Sequence, residues 1–408
     1  MTKGELEELI HNGENSGVEF KLDEVENHEL AKEIVAFANL AGGVVLLGVS
    51  DDGTVRGTVR ENLEEWVMEL CRTKIDPPLI PYFEWYRDFE PGKDLAVVRI
   101  LTGPAKPYAR VHHNRRNYFI RVGSTSQEAR QDELERMFQA SGRLRYGMKP
   151  VPGAEFIDFD LRRLKDYFGR VLSQTYPDEA NVGTWEHLLI NLELMVRIDQ
   201  TITPTIDGLL LFGRNPKRFL PQSGIRALAF AGTGADYAAQ ADQDLSGPML
   251  SLYAQDGSLV ENGLVEQALD FINRNTAPTA SLQGGVRVDR PTYPSEVLRE
   301  VIVNALVHRD YSIAGTDITL TIFADRLEMK SPGRLPNMAT VEALKAGFRY
   351  ARNQTLVNVM RDYRYVDFRG MGIREKIIPG MLRHNGTEPD LIATEYDFTV
   401  RLWKEKQP

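Results

Sequence analysis

The sequence predicts a two-part protein of the α/β (α+β) class. Helix-like and strand-like apolar patterns alternate along its 408 residues, and this length exceeds the roughly 100–200 residues of a typical domain. A stretch with basic residues, Gly and Pro separates two such series of patterns. We therefore predict a first domain at 1–142, a linker at 143–157, a middle α/β region at 158–290 and a last domain at 291–408.

The first series of patterns predicts a unit of mixed helices and strands. Thr2, with Glu5 three residues later, forms the capping-box signature of a helix that ends near Asn12. Val44–Val49 is a continuous apolar run, which is typical of a buried strand. The other predicted elements are a strand at Val18–Lys21, a helix at His28–Leu40, strands at Leu95–Leu101 and Tyr118–Val122, and a closing helix at Gln127–Phe138.

The second series again contains elements of both kinds. Gly208–Gly213 encloses a short apolar run, which we predict to be a strand. The other predicted elements are helices at about Leu161–Leu172 and Leu259–Asn273, and strands at Arg226–Phe230, Asp317–Phe323 and Arg326–Lys330. A loop with Gly and Pro and further helices complete the series.

Composition and charge exclude several classes of protein. The single cysteine, Cys71, excludes an intrachain disulfide framework and a thiolate metal site, which fits a reducing cytosol. No apolar run approaches the roughly 18 residues that span a membrane, and the first residues lack a signal-peptide pattern. The net charge of −9 argues against a surface that is basic throughout, but it allows a local basic patch. We expect a cytoplasmic protein with no membrane partner.

Three carboxylates and a lysine form a candidate catalytic and metal site in the first domain. Glu14 precedes the first predicted strand, and Asp51 follows the next one. Glu19 and Lys21 lie on one face of the first strand, because side chains two residues apart point to the same side. Carboxylate oxygens suit Mg²⁺ or Mn²⁺, and a metal so held can activate water at a phosphodiester while the lysine stabilises developing charge. The alternative is that these are solvated surface groups.

A basic stretch with interleaved aromatic residues runs from Lys106 to Arg121 and contains no Asp or Glu. Positive charge beside aromatic rings suits phosphate neutralisation and base stacking, so we predict nucleic-acid contact here. The alternative is a hairpin whose charges serve only solubility. The predicted contact residues are Lys106, Arg110, Arg115, Arg116, Tyr118 and Arg121.

Several segments of the first domain resemble the signature of the Schlafen/AlbA-type domain. They are SGVEFK at Ser16–Lys21, IVAFANLAGG at Ile34–Gly43, LGVSDDG at Leu47–Gly53, and the closing YFIRVGS at Tyr118–Ser124. This resemblance covers about residues 1–140 and implies nucleic-acid binding. In the Schlafen branch it further implies a metal-dependent endoribonuclease for structured RNA such as tRNA, with Glu14, Glu19 and Asp51 as the active carboxylates. Many prokaryotic members are instead described only as DNA-binding regulators.

A second constellation lies in the last domain. Glu300 and Asn304 are four residues apart and therefore share one face of a predicted helix. In a nucleotide site such a glutamate can activate water, and such an asparagine can hold Mg²⁺. Two glycine loops follow, with Gly333 in the first and Gly370 and Gly372 in the second, where backbone N–H groups could approach phosphate.

This order of motifs resembles the GHKL ATPases, and more closely the C-terminal domain of RecG-related regulators. It implies a GHKL-like α/β sandwich in which those five residues bind ATP. Two departures point to a degenerate site: Ser331 stands where the family has an aspartate that reads adenine, and Leu335 stands at the second glycine of the first loop. ATP is therefore a candidate ligand without expected turnover, and the alternative is a structural or dimerising domain. No Gly-x-x-x-x-Gly-Lys-Ser/Thr motif supports a helicase motor.

Three functional hypotheses follow from the sequence. The first is a nucleic-acid-binding protein that acts as a metal-dependent endoribonuclease. The second is a non-catalytic DNA-binding transcriptional regulator whose GHKL-like domain binds a nucleotide or dimerises. The third is a nucleotide-binding switch. We also expect a homo-oligomer, by resemblance to Schlafen proteins that grip RNA with two lobes.

Overall fold

The chain folds into two structural units, Met1–Leu144 and Arg145–Pro408. A computed structural model describes residues 1–102, 105–142, 144–276, 279–283, 286–336, 339–366 and 371–405. Both units mix helices and strands, which confirms the α/β prediction.

The first unit has four helices and nine strands in its described part. In chain order they are α1 (Lys3–Asn12), β1 (Val18–Lys21), α2 (Asn27–Asn39), β2 (Gly43–Leu47), α3 (Leu63–Thr73), β3 (Ile75–Asp76), β4 (Tyr82–Glu90), β5 (Lys93–Ile100), β6 (Ala109–His112), β7 (Arg115–Asn117), β8 (Phe119–Val122), β9 (Thr125–Glu128) and α4 (Gln131–Ala140).

A four-stranded sheet with the order β1-β2-β5-β4 forms the centre of this unit. The first pair is parallel and the other pairs are antiparallel. Val45 and Leu47 of β2 pack with α2 and α3 on one face, whereas Leu46 packs with Leu6 of α1 on the other. The continuous apolar run of β2 is thus explained by burial on both faces of the sheet, as predicted.

The second unit contains the remaining elements. In chain order they are α5 (Leu161–Asp166), α6 (Val182–Asn191), β10 (Met195–Ile198), β11 (Thr201–Pro204), α7 (Ile206–Phe212), β12 (Ile225–Ala229), β13 (Ala241–Leu245), β14 (Leu252–Tyr253), β15 (Leu259–Glu261), α8 (Leu264–Asn275), β16 (Thr279–Gln283), β17 (Val286–Arg290), α9 (Ser295–His308), β18 (Ile318–Ile322), β19 (Arg326–Pro332), α10 (Val341–Ala346), α11 (Gln354–Asp362), α12 (Ile378–Asn385), β20 (Asp390–Ala393) and β21 (Asp397–Trp403). Short π-helical segments at Tyr167–Val171 and Ile373–Ile377 adjoin α5 and α12.

A six-stranded sheet with the order β13-β12-β18-β19-β21-β20 organises the second unit. It joins strands from the predicted middle region and the predicted last domain, and both contribute to one hydrophobic core. Val151 and Ala154, from the segment predicted as a linker, are also buried in this core. The observed second unit therefore begins at Arg145.

The predicted strand at Gly208–Gly213 is wrong, because this run forms the helix α7. Thr205 caps that helix, and its Oγ1 accepts a hydrogen bond from the Gly208 N–H at 3.1 Å. All residues of α7 are buried, so its apolar run has no exposed face that would reveal helical periodicity. The helix predicted from Leu259 also starts later, at Leu264, because Leu259–Glu261 pairs as β15.

Candidate functional site

Glu14, Glu19 and Asp51, which we call the carboxylate cluster, meet at one end of the β1–β2 pair. Lys21 pairs with Leu47 where these two parallel strands end. The chain continues through Gly48, whose N–H donates a hydrogen bond to the Lys21 carbonyl at 2.8 Å. Because both strands end at the same edge, the turn that carries Asp51 lies beside Lys21.

Lys21 lies at the centre of the carboxylate cluster. Its Nζ is 2.6 Å from Glu19 Oε1, 3.9 Å from Glu14 Oε1 and 3.9 Å from Asp51 Oδ1. Glu14 Oε1 also accepts a hydrogen bond from the Phe20 N–H at 2.9 Å. The structure therefore brings together the four residues that the sequence analysis singled out.

Burial and charge shift the pKa values of two of these groups in the same direction. Burial raises the pKa of the Glu14 carboxyl above its ordinary value, against the hydrogen bond from Phe20 and with the charge of Glu19 adding to the rise. Burial by itself would lower the pKa of Lys21, but the hydrogen bond and charge of Glu19 outweigh it and raise this pKa. Lys21 is consequently a cation at neutral pH.

Arg121 of β8 supports the carboxylate cluster from the interior. Its side chain is fully buried, and its Nη1 donates to Glu19 Oε2 at 2.7 Å and to Glu33 Oε2 at 2.9 Å. Its Nη2 donates to the carbonyls of Asn15 and Ser124 at 2.8 and 3.0 Å. The guanidinium thereby holds one oxygen of Glu19, while Lys21 holds the other.

Glu33 belongs to this network, although it was not among the residues predicted from the sequence. It lies on α2, three residues after Leu30 and four before Phe37, so it shares the apolar face of that helix. An acidic residue on an apolar face is a signal that a buried cation is needed, because an unpaired buried charge is strongly unfavourable. Arg121 is that cation.

The donor atoms of the carboxylate cluster suit a hard cation, but their arrangement is that of an ammonium site. Within the ranges that the structure describes, no three His, Cys, Asp or Glu side chains are placed to hold a metal ion. The Lys21 ammonium occupies the space between the three acids, where a metal ion would otherwise lie. The side chain of Asp51 is 82% exposed, so the cluster presents an oxygen face to solvent.

The structure corrects the prediction for two residues of the basic stretch. Lys106 is buried and its Nζ donates to the Leu40 carbonyl, and Arg121 is committed to the network described above. Both cations were predicted to contact a nucleic-acid backbone. Their burial with protein partners places them in the scaffold of the first unit instead.

The other predicted contact residues lie on or beside the β6–β7 hairpin. Arg115 and Arg116 are exposed, and Arg116 Nε lies 2.6 Å from Asp76 Oδ2. The Arg110 guanidinium stacks over the Phe119 ring at 4.7 Å, and half-buried Tyr118 contacts Phe138 edge to face. His113 and Asn114 form the tip with φ of 46° and 59°, as a two-residue hairpin turn requires. The hairpin therefore projects two arginines into solvent.

In the second unit, Glu300 and Asn304 share one face of α9, as predicted. Asn304 Nδ2 donates to Glu300 Oε1 at 3.2 Å, and Lys376 Nζ donates to Glu300 Oε2 at 3.3 Å. Gly372 lies directly against this carboxylate, and a Cβ at that position would overlap Glu300 Oε1. The absence of a side chain at Gly372 therefore makes room for a buried glutamate.

The first glycine loop has a similar local role. Gly333 has a φ of +114°, and a Cβ there would overlap Nη1 of Arg352. Ser331 Oγ donates to the Ala305 carbonyl at 2.8 Å, so its hydroxyl is engaged within the protein. Gly370 lies outside the described residues.

These elements enclose a cavity of about 130 Å³ between α9, β19 and the loops around Gly333 and Gly372. Asn304, Gly333 and Gly372 line it, whereas Glu300 does not belong to its wall. Most of the wall is apolar, and its apolar side chains include Val301, Met329, Leu344, Phe348, Ile373 and Phe398. Pockets for drug-sized ligands are usually about 300–1,000 Å³, so this cavity is small.

Two family models match the chain. Residues 14–130 match the model described as Schlafen, AlbA_2, and residues 315–402 match a HATPase model whose description names the C-terminal region of the DNA helicase recG. The chain joins a Schlafen/AlbA_2 domain to a RecG-type C-terminal domain. The Schlafen/AlbA_2 span contains the whole carboxylate cluster and the basic stretch. The RecG-type span contains Gly333 and Gly372, whereas Glu300 and Asn304 precede it. These two domain types support a nucleic-acid-binding protein.

Comparisons with solved structures give matches of low sequence identity. The DIP2311 protein from Corynebacterium diphtheriae is 22% identical over 95% of this chain and 75% of its own, with a TM-score of 0.45. The N-terminal domain of a RecG-related protein from Nitrosomonas europaea is 21% identical over 32% of this chain and 94% of its own, with a TM-score of 0.25. A comparison with curated proteins finds no match. Among the described helices, none has the length and apolar character needed to cross a membrane.

Proposed function

We propose that the protein is a cytoplasmic, divalent-metal-dependent endoribonuclease that acts on structured RNA such as tRNA through its first unit. The observation that carries this proposal is the meeting of Glu14, Glu19 and Asp51 around Lys21. Three acids and a lysine that meet at one end of a strand pair are groups that metal-assisted phosphodiester cleavage can use.

The charge of the cluster supports the involvement of an added cation. The three carboxylates outnumber Lys21 and Arg121, the two cations that pair with them. A phosphodiester carries a negative charge and would be repelled by this excess. If the Lys21 ammonium moved out of the space between the three acids, Mg²⁺ or Mn²⁺ held by Glu14, Glu19 and Asp51 would supply activated water and neutralise charge on the phosphate.

The other residues of this chain would orient the carboxylates and contact the RNA. Arg121 fixes Glu19 from inside the unit, so that this carboxylate keeps its orientation. Lys21 has a flexible stem and only 21% side-chain exposure, and its ammonium would contact a phosphate oxygen at the cluster. Arg115 and Arg116 on the exposed hairpin would contact the RNA backbone.

The test is cleavage of total tRNA by the full-length protein in Mn²⁺ or Mg²⁺, beside an EDTA control. Asp51→Asn is the most informative variant, because Asp51 is exposed and its charge can be removed without disturbing the core. We expect cleavage to fall by about a hundredfold or more in Asp51→Asn, with RNA binding retained. Glu24→Gln is the matched control, since Glu24 is an exposed carboxylate of the same unit.

Two outcomes would contradict the proposal. Full cleavage by Asp51→Asn would place the chemistry outside the carboxylate cluster. Binding of tRNA without cleavage in either metal would show that the cluster is structural.

A second candidate is a non-catalytic DNA-binding transcriptional regulator. It is favoured by the pairing of Glu19 with both Lys21 and Arg121, because both oxygens of this carboxylate have cationic partners without a metal. Tight binding of duplex DNA without cleavage would support it, particularly if Arg115→Ala/Arg116→Ala reduced the dependence of affinity on salt. In either case we propose a homo-oligomer, and mass photometry showing only monomers at micromolar concentration would contradict this.

A further inference from the structure

Arg352 is a buried cation with an unsatisfied donor beside the cavity of the second unit. Its side chain is only 5% exposed, and its Nη2 donates to the Arg334 carbonyl. Its Nη1 has no hydrogen-bond partner among the described residues. The carboxylate of Asp310 is near, but its Oδ2 lies 3.8 Å from that nitrogen, which is beyond hydrogen-bond distance.

A buried guanidinium with an unsatisfied N–H donor is a favourable binding partner for an anion. Burial lowers the pKa of Arg352, and the charge of Asp310 opposes this shift. An arginine remains charged in proteins, so the cost of burying it is reduced when a negative group pairs with it. Gly333 provides the space for Nη1, since a Cβ there would overlap this atom.

The rest of the cavity suits an apolar body rather than a second charged group. Its walls include Met329, Leu344, Phe348 and Phe398. His308 also lines the cavity, and burial followed by the charge of Arg352 lowers its pKa to about 4, so this ring is neutral at physiological pH. Arg334 and Arg349 also line the cavity, but the first is half-buried and the second is exposed, so Arg352 is the buried cation of its wall.

The volume limits the size of the ligand. The cavity holds about 130 Å³, and an apolar cavity of roughly 150 Å³ binds a single benzene molecule. A nucleoside with its phosphates is several times larger than benzene. We propose that this cavity binds a small organic anion whose apolar body is about the size of a benzene ring and whose carboxylate pairs with Arg352.

A small carboxylate is a ligand that the family name of the RecG-type domain does not suggest. The domain would sense a small carboxylate through one buried arginine, with Ser331 and Glu300 engaged in contacts within the protein. This inference concerns the second unit and is independent of any cleavage by the first.

Binding can be measured on the full-length protein by ¹⁹F NMR with 4-fluorobenzoate as the probe. 4-Fluorobenzyl alcohol is the matched control, because it has the same ring and no charge. We expect the anion to bind saturably and at least about tenfold more tightly than the alcohol. Arg352→Met should remove this preference.

Ala305→Leu provides a second test in case Arg352→Met fails to fold. Ala305 lines the cavity, and a leucine there keeps the arginine while filling the space. We expect this variant to lose the probe with its circular dichroism spectrum unchanged. Equal affinity for the two probes would overturn the proposal, and so would the absence of saturable binding of the anion at millimolar concentration. A protein that binds ATP but not 4-fluorobenzoate would overturn it as well.

Discussion

Arg121 illustrates how burial decides the role of a charged residue. In the sequence it ends a basic stretch, and its charge suggests contact with phosphate. In the structure its guanidinium bonds Glu19 and Glu33 and stacks over Phe37 at 4.6 Å. Glu19 and Glu33 lie 102 and 88 residues away along the chain, so local sequence could not reveal them.

Substitution of Arg121 should therefore lower stability. Arg121→Met removes the guanidinium that pairs with Oε2 of Glu19 and Oε2 of Glu33, and removal of one partner from a buried ion pair costs about 3–5 kcal/mol. Urea denaturation of the full-length protein measures the change in the free energy of unfolding. Arg116→Met is the matched control, because Arg116 is 65% exposed and its pair with Asp76 should contribute less than about 1 kcal/mol. Equal effects of the two substitutions would contradict this role of Arg121.

Asp207 makes the stability of the second unit depend on pH. It is buried at the start of α7, its Oδ1 has no hydrogen-bond partner among the described residues, and burial raises its pKa from 3.8 to about 7. Because the folded pKa is raised, its stabilising contribution is complete below about pH 4 and is lost as the pH rises through 7.

The variant Asp207→Asn tests this dependence, since an amide does not titrate. Relative to the wild type, the free energy of unfolding of Asp207→Asn should increase by about 3 kcal/mol between pH 5 and pH 8. Urea titrations of both proteins at several pH values give their free energies of unfolding. The contributions of all other groups cancel in the difference between the two proteins. A difference that does not change with pH would show that Asp207 is ionised in the folded protein throughout.

At the scale of elements, the sequence predicted the helices and strands whose buried side chains recur at a regular spacing. The strand pair β18–β19 was confirmed because its side chains alternate between a buried and a more exposed face. Because β1 and β2 pair in parallel, they end at the same edge of the sheet, and this alone brings Glu19 and Asp51 to one region. The helix α7 was missed because burial on all sides removes periodicity, and Arg352 was missed because its cavity exists only in the folded unit.

The same helix provides a test of packing against helix propensity. Gly208 lies against the Leu194 carbonyl, and a Cβ there would overlap that oxygen. Gly208→Ala should therefore destabilise the protein by about 1–3 kcal/mol, although alanine favours helices. Gly183 in α6 is the matched control, because a Cβ there meets open space and Gly183→Ala should stabilise by up to about 1 kcal/mol. Thermal denaturation compares the two, and stabilisation by both would contradict the packing argument.

At the scale of the whole molecule, each unit has its own hydrophobic core. The clusters of the first unit gather around α2 and α1, and the cluster of the second unit extends from Val151 to Leu402. A core that is confined to one unit stabilises the folded state of that unit, so we expect each unit to unfold in its own cooperative transition. The carboxylate cluster and the cavity of the second unit therefore belong to separate stability units.

This separation predicts two transitions in scanning calorimetry of the full-length protein. Arg121→Met should lower the midpoint of one transition only, because its partners lie within the first unit. Gly208→Ala should lower the midpoint of the other, because α7 packs in the core of the second unit. Each kcal/mol lost should correspond to a shift of about 2–8 °C, depending on the size of the unfolding unit. A single transition that both substitutions shift as a whole would show instead that the two units unfold together.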